Sequence, residues 1–287
     1  MRILQIHNAY QQAGGEDAVV ANEGALLSAN GHDVRLWSVD NAAITGPWAK
    51  VRTAWQVPYS HAARRRLGRV IADFGPDVAH VHNFFPLLTP SVYDACRDAG
   101  VPVVQTLHNY RTVCAGALLL RNGRPCEDCI GGSPYQGALH GCYRGSRLGS
   151  LAVAHMIARH RRQGTWRTKV GRFIALTEFA KAKFVEAGFP AEKIAVKPNF
   201  VEDRGPQEAE TARHGALFVG RLSPEKGIGT VLTAWRDLDV PLRIGGDGPL
   251  MSMAQSTASR NVVPLGNLLP EAVNQEMARA AFLVMPS

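Results

Sequence analysis

The chain has 287 residues, is 46% hydrophobic and carries a formal charge of +8. That length suits two α/β domains or one large one, and no run approaches the roughly 18 apolar residues a membrane span needs. The charge is uneven: residues 1–200 hold 24 Lys and Arg against 14 Asp and Glu, and residues 201–287 hold 8 against 10. An anionic partner is therefore expected for the front half. No binding module or aromatic–basic repeat accompanies the charge, so a lipid surface or a phosphate-bearing acceptor fits better than nucleic acid.

The N-terminus, MRILQIHN, reads as a strand rather than a signal peptide, which predicts a cytoplasmic protein with reduced thiols. Arg2 to His7 is the first strand, and Asn8 to Glu16 a loop containing Gly14-Gly15. A helix follows over Asp17 to Asn30, with Asp17 as its cap and Gly31 as its stop, and then a strand over Val34 to Val39. The glycine turn lets backbone approach a ligand closely, or is a tight turn and nothing more; it is not the GxGxxG fingerprint of a dinucleotide site. Ala42 to Arg69 is less regular and ends in Arg64-Arg65-Arg66, either a solvated helix face or part of an acceptor or membrane surface. Strands over Asp77 to His82 and Pro102 to Leu107 flank a helix over Pro90 to Ala99. Groups that act in open parallel sheets collect at the carboxyl ends of strands, the address of both His82 and His108.

Cys114, Cys126, Cys129 and Cys142 fall in one glycine-rich segment with the spacing C-x11-C-x2-C-x12-C. In a reducing compartment this is a pattern for structural zinc first and an iron–sulfur cluster second. Four free thiols, or a redox CxxC, are the alternatives. Cys96 stands apart on a helix and reads as core. Leu148 to Trp166 reads as a helix ending in Arg159-His160-Arg161-Arg162, either an ordinary surface helix with cations at its C-terminus or a membrane-lying one. A strand over Phe173 to Leu176, a helix from Thr177 to Ala187-Gly188 and a strand over Ile194 to Lys197 complete this half, closed by Pro198-Asn199. Val201 to His214 reads as a linker.

A second α/β series places strands at Ala216–Val219, Leu242–Ile244, Val262–Pro264 and Phe282–Met285. Its first strand runs into Gly220, Arg221, Ser223-Pro224, Glu225, Lys226 and Gly227, then a helix over Ile228 to Trp235. A helix start already favours anions, and Arg221 and Lys226 suit it to a diphosphate. The segment Ile244 to Leu250, IGGDGPL, repeats the logic.

GRLSPEKG followed by GGDGPL resembles the C-terminal half of a family 4 glycosyltransferase, and FIALTEFAKAKFVEAGFPAEKIAVKPNFVE resembles that family's crossover between domains. The resemblance implies the GT-B fold: two Rossmann-like domains, here 1–200 on the acceptor side with a Cys-rich insertion at 112–145, a linker at 201–214, and a nucleotide-sugar domain at 215–287. It implies a retaining transfer from a nucleoside diphosphate sugar to the hydroxyl of a glycan or lipid-linked acceptor, in envelope or exopolysaccharide assembly, with no catalytic metal. Arg221 and Lys226 are then expected on the leaving diphosphate and His108 on the transferred sugar. Gly14 and Gly15 are expected at the phosphates and acceptor, with Asn199, Gly220, Gly246, Asp247 and Gly248 bordering the nucleotide. The family continues past Pro286-Ser287 into two glutamates eight positions apart that contact the sugar and the ribose. The resemblance therefore implies that the second domain is incomplete, one face of its sheet exposed. A non-catalytic remnant or scaffold is the alternative. Peripheral attachment to the inner face of a membrane is the expected location for a lipid-linked acceptor.

Overall fold

The computed structural model describes residues 1–9, 14–201 and 212–286. Contacts divide the chain into two compact units, Met1–Glu202 and Asp203–Ser287. Most of the expected linker, residues 202–211, lies outside the described residues.

The first unit is built on a six-stranded sheet in the order β2-β1-β3-β4-β7-β8, every neighbouring pair parallel. Its strands are β1 (Arg2–Ala9), β2 (Asp33–Asp40), β3 (Val78–Asn83), β4 (Val103–Leu107), β7 (Arg172–Ala175) and β8 (Ile194–Val196). Ile3 to Asn8 of β1 are all buried, as a central parallel strand covered on both faces must be. The chain leaves β1 for β2 on one side and returns to β3 on the other. This is a topological switch point, and it opens a crevice beyond the carboxyl ends of β1 and β3.

Helix α1 (Gly15–Ala29) joins β1 to β2. It starts two residues before the expected Asp17: Gly14 is the N-cap and Asp17 the third helical residue, its carboxylate accepting from the Gly14 N–H at 2.7 Å. The stretch expected to be irregular forms α2 (Gly46–Gln56) and α3 (His61–Phe74). In α3, Ala63, Leu67, Ile71 and Phe74 share the buried face; the Ser60 hydroxyl caps its start and Gly75, at φ 59°, its end. Helix α4 (Ser91–Asp98) precedes β4, with Cys96 wholly buried in the core.

Between β4 and β7 lie the two-residue strands β5 (Leu120–Arg121) and β6 (Arg124–Pro125), the single turn α5 (Gln136–Leu139), α6 (Arg147–Arg162) and the turn α7 (Thr165–Thr168). The single helix expected over Leu148 to Trp166 is thus two, split at Gly164, whose φ of 60° a helix cannot continue through. The basic cluster that ends α6 faces largely inward. His160 is fully buried, bonded to Thr165 Oγ1 at 2.9 Å and the Pro58 carbonyl at 2.9 Å. Arg161 donates to the carbonyls of Cys129 and Gly132, both at 2.8 Å, and Arg159 lies over the Tyr59 ring. Of the two readings of this cluster, these contacts fit the ordinary helix end, with Arg162 left exposed. Helix α8 (Glu178–Glu186), capped by the Thr177 hydroxyl, leads to β8.

The second unit is a parallel sheet in the order β11-β10-β9-β12, made of β9 (Ala216–Val219), β10 (Leu242–Gly245), β11 (Val262–Gly266) and β12 (Phe282–Leu283). Helices α9 (Ile228–Ala234), α10 (Met251–Ser256) and α11 (Pro270–Arg279) join them. Ile228, Val231, Leu232 and Trp235 close one face of this core. At its far end Phe282, Leu283 and Met285 are exposed.

The φ of Gly246 is +139°, and a Cβ there would stand 1.9 Å from the Gly220 carbonyl oxygen. Gly246→Ala is therefore expected to destabilise this unit by about 3 kcal/mol or more. Gly266→Ala, at φ +73° with open space around it, should cost only about 1 kcal/mol. Urea unfolding followed at Trp235 measures both.

Candidate functional site

In β3, His80 and His82 lie two residues apart and so project from the same face. Helix α1 packs over that face and delivers Glu23, which is 5% exposed. Its Oε1 meets Lys197 Nζ, just beyond β8, at 2.6 Å; its Oε2 lies 3.6 Å from His80 Nδ1 and 3.7 Å from His82 Nε2. His82 Nδ1 is 3.1 Å from His108 Nε2, and the rings stack with centroids 5.4 Å apart. A neutral His82 directs its Nε2–H toward the Glu23 carboxylate, since an unprotonated Nε2 would face lone pairs. Its Nδ1 then accepts from His108 Nε2–H, which leaves His108 Nδ1 as a hydrogen-bond acceptor. His108 is half-buried at the carboxyl end of β4, the position expected of it, whereas His82 is buried behind it.

Burial holds all three histidines neutral. His80 and His108 are each lowered to about 4, by desolvation first and by the Lys197 charge among lesser causes. His82 is pushed far below its ordinary value by burial and by its histidine neighbours. His160, away from this cluster, is lowered to about 4 by burial.

The glycine loop joins the same crevice. Asp17 Oδ1 accepts from His7 Nε2 at 2.8 Å, and Asn109, next to His108, donates to Glu16 Oε1 at 2.8 Å. Gly14 and Gly15 are exposed. A Cβ on Gly15 would meet nothing within 4 Å, and one on Gly14 only Asp17 Oδ2 at 3.9 Å. The φ of Gly14 is −133°. Neither a left-handed φ nor a close contact demands glycine at these two positions. His7, Asp17, Glu23, His80 and Lys197 were not foreseen; the two-residue spacing of His80 and His82 was the signal available for one of them.

In the second unit the two glycine motifs, GRLSPEKG and GGDGPL, form one paired backbone. Gly220 N–H donates to the Gly245 carbonyl at 3.0 Å, Leu222 N–H to the Asp247 carbonyl at 2.9 Å and Leu250 N–H to the Leu222 carbonyl at 2.9 Å. A Cβ on Gly248 would lie 2.6 Å from the Leu222 carbonyl oxygen. Asp247 accepts from the Gly248 N–H at 2.6 Å, which fixes its carboxylate on the turn. Arg221 and Lys226 are exposed on this platform, at the carboxyl end of β9. Asn199 is exposed in the first unit, on the segment after β8.

The four cysteines line one small cavity with Leu120, Arg121 and Gln136. Cys114 and Cys129 are buried, Cys126 and Cys142 half-buried. Burial, then the neighbouring thiols, pushes Cys129 up to about 11. Among the described residues the side chains whose ligand atoms converge within 4.8 Å are Glu23, His80 and His82. No three cysteine sulfurs approach one another that closely.

Residues 14–199 match the family model of the glycosyl transferase 4-like domain. No curated protein matches the chain. Among solved structures the fold is similar to that of WaaG, a glycosyltransferase involved in lipopolysaccharide biosynthesis, at 17% identity and a TM-score of 0.60 over 99% of this chain and 75% of that one. HepE of Anabaena in complex with UDP-glucose is similar at 15% identity and a TM-score of 0.60, over 100% of this chain and 74% of that one. The lipopolysaccharide outer core galactosyltransferase WaaB is similar at 15% identity and a TM-score of 0.55, with the same coverage. The chain thus spans about three quarters of the length of these structures, and the likeness shows the GT-B architecture, two Rossmann-like α/β units. Among the described residues no helix is long and apolar enough to cross a membrane.

Unfolded histidines bind protons below about pH 6.5, whereas folded His80, His108 and His160 do so only near 4. Stability is complete above about pH 6.5 and falls as pH drops toward 4, by up to about 2 kcal/mol per histidine near pH 5. Urea midpoints at about pH 7.5 and about pH 5 should show the loss, and His160→Asn should reduce it.

Proposed function

Because the chain belongs to the glycosyl transferase 4-like family, we propose that it moves a sugar, with retention of anomeric configuration, from a nucleoside diphosphate sugar to an acceptor hydroxyl. The observation that carries this reading is the interlocked pair of glycine turns that presents Arg221 and Lys226 together. A departing diphosphate gains negative charge in the transition state. Cations fixed where that charge grows lower the barrier, because they need no reorganisation during the reaction. Arg221 supplies a planar fork for two phosphate oxygens and Lys226 a compact point charge. This scheme uses no divalent cation.

Gly220, Gly246, Asp247 and Gly248 border the nucleotide. Gly14 and Gly15 leave uncrowded backbone for phosphates and acceptor. His108, neutral and with Nδ1 as acceptor, orients a hydroxyl of the sugar. HepE was solved with UDP and with UDP-glucose, so uridine donors come first for this chain. WaaG and WaaB act in lipopolysaccharide assembly, which makes an envelope glycan or lipid-linked acceptor the favoured class. The four cysteines take no part in this chemistry.

Helix α2 supports the lipid-linked acceptor. Trp48, Val51 and Trp55, spaced to share one face, are 84%, 62% and 87% exposed, and Lys50 and Arg52 lie between them. Exposed indoles flanked by cations suit the interface of an anionic bilayer, on the inner face for a cytoplasmic enzyme.

A thermal shift series with UDP, GDP and ADP tests the donor site, since a ligand that binds only the native state raises the midpoint. UDP should raise it, Lys226→Ala should abolish the rise, and either Arg221→Ala or Lys226→Ala should slow sugar transfer about 100-fold. No rise with any nucleotide would favour the remnant or scaffold reading. Separately, the protein should sediment with vesicles containing phosphatidylglycerol and not with neutral ones. Replacing Trp48 and Trp55 with Ser should release it without changing the UDP shift.

A further inference from the structure

The segment between β4 and α6 has little secondary structure to hold it: two strands of two residues and one helical turn. Within it Ala117, Leu119, Asn122 and Arg144, none of them glycine, take left-handed φ values of 67°, 50°, 52° and 53°. Such conformations persist only where the surroundings over-determine them. Val113, Ala115, Leu119 and Ile130 tie parts of the segment to the core, but the far hairpin, β5 and β6, is mostly exposed.

What lies at its centre is a cavity of about 10 Å³ lined by all four cysteines. Backbone bonds set three of them there: Cys114 N–H to the Tyr110 carbonyl at 2.7 Å, Cys126 N–H to the Leu119 carbonyl at 2.8 Å and Cys142 N–H to the Gly137 carbonyl at 2.9 Å. The Arg161 guanidinium grips the carbonyls of Cys129 and Gly132 and so fixes the CxxC turn from outside. Gly116 lies between the two outlying cysteines: a Cβ there would stand 3.8 Å from Cys114 Sγ and 3.7 Å from Cys142 Cβ.

We propose that Cys114, Cys126, Cys129 and Cys142 bind a single zinc ion as four thiolates. Four soft sulfur ligands select zinc among abundant divalent ions. The sulfurs surround the space without touching across it, so ligation draws them inward and closes the segment. Binding releases the four thiol protons to solvent, and the two surplus negative charges of the centre face Arg121, which lines the same cavity. The centre is built into the end of β4: Tyr110 donates to the Ala117 carbonyl at 3.0 Å and accepts from Cys114, two residues from His108. The zinc site stands whether or not the chain transfers sugar.

The test is the metal content of the full chain, purified without chelator and without a histidine tag. About one zinc per chain is expected, and cobalt(II) in its place should show the sulfur-to-metal charge-transfer and intense visible bands of a tetrahedral thiolate. Cys126→Ser with Cys129→Ser should lose the ion, and Cys96→Ala should keep it. Zinc removal should lower the melting temperature and expose four more thiols to titration, and re-addition should reverse both. A chain that takes up no zinc when refolded with it, that holds iron with visible absorption, or whose cysteines titrate as disulfides would overturn the proposal.

Discussion

A carboxylate buried in the first unit governs its functional end. Glu23 cannot remain charged at 5% exposure without partners, and the chain supplies Lys197 from 174 residues away together with two imidazoles. That pairing clamps the helix after the first strand to the segment after the last one. Burial first, and the Lys197 charge as a lesser cause, keeps the histidines behind it neutral, and the orientation of His82 passes to His108 as a preference for one tautomer. The glycine loop is held from the other side by Asp17, which divides its two oxygens between the Gly14 N–H and His7. Groups at the ends of β1, β3 and β4 are thereby set by two polar clusters, both anchored on α1.

The positive charge of the chain is spent in more than one way. Some of it is structural: Arg161 satisfies loop carbonyls, Arg64 pairs with Asp98, and Lys183 bridges Glu127 and Glu186. Pairs of this kind at the surface contribute little each. The cations of α2 and the exposed Arg65, Arg66 and Arg69 of α3 remain outward. Net charge indicated that the first unit is basic, and only the coordinates separate cations turned to carbonyls from cations turned to solvent.

The strands of the two parallel sheets were legible in the sequence, since buried parallel strands are short apolar runs bounded by glycine, proline or a polar residue; the two-residue pair β5 and β6 was not. His108 was legible as well, because its address at a strand end follows from the chain alone. Helix boundaries were less so. Asp17 resembles a cap by residue type, yet Gly14 takes that place and frees Asp17 to serve His7, a partner ten residues back. Helix α2 was hidden because it buries nothing, which removes the periodic signal; α3 carries the spaced apolar face Ala63, Leu67, Ile71 and Phe74, a signal that was available and not read. Glu23 and Lys197 were invisible as a pair, since no local pattern links positions 174 residues apart. The two glycine motifs were each read correctly as turns, but their hydrogen bonding to each other is a property of sheet neighbours, which spacing does not encode.

That mutual contact has a consequence for descent and for engineering. Gly220 and Gly246 approach so closely that neither turn has a shape of its own; each is the mould of the other. An insertion, a deletion or a graft from a relative in one loop would arrive without its counterpart and meet backbone. The two loops, more than twenty residues apart in sequence, therefore behave as one heritable cassette. Attempts to exchange nucleotide preference within this fold would have to transplant both together.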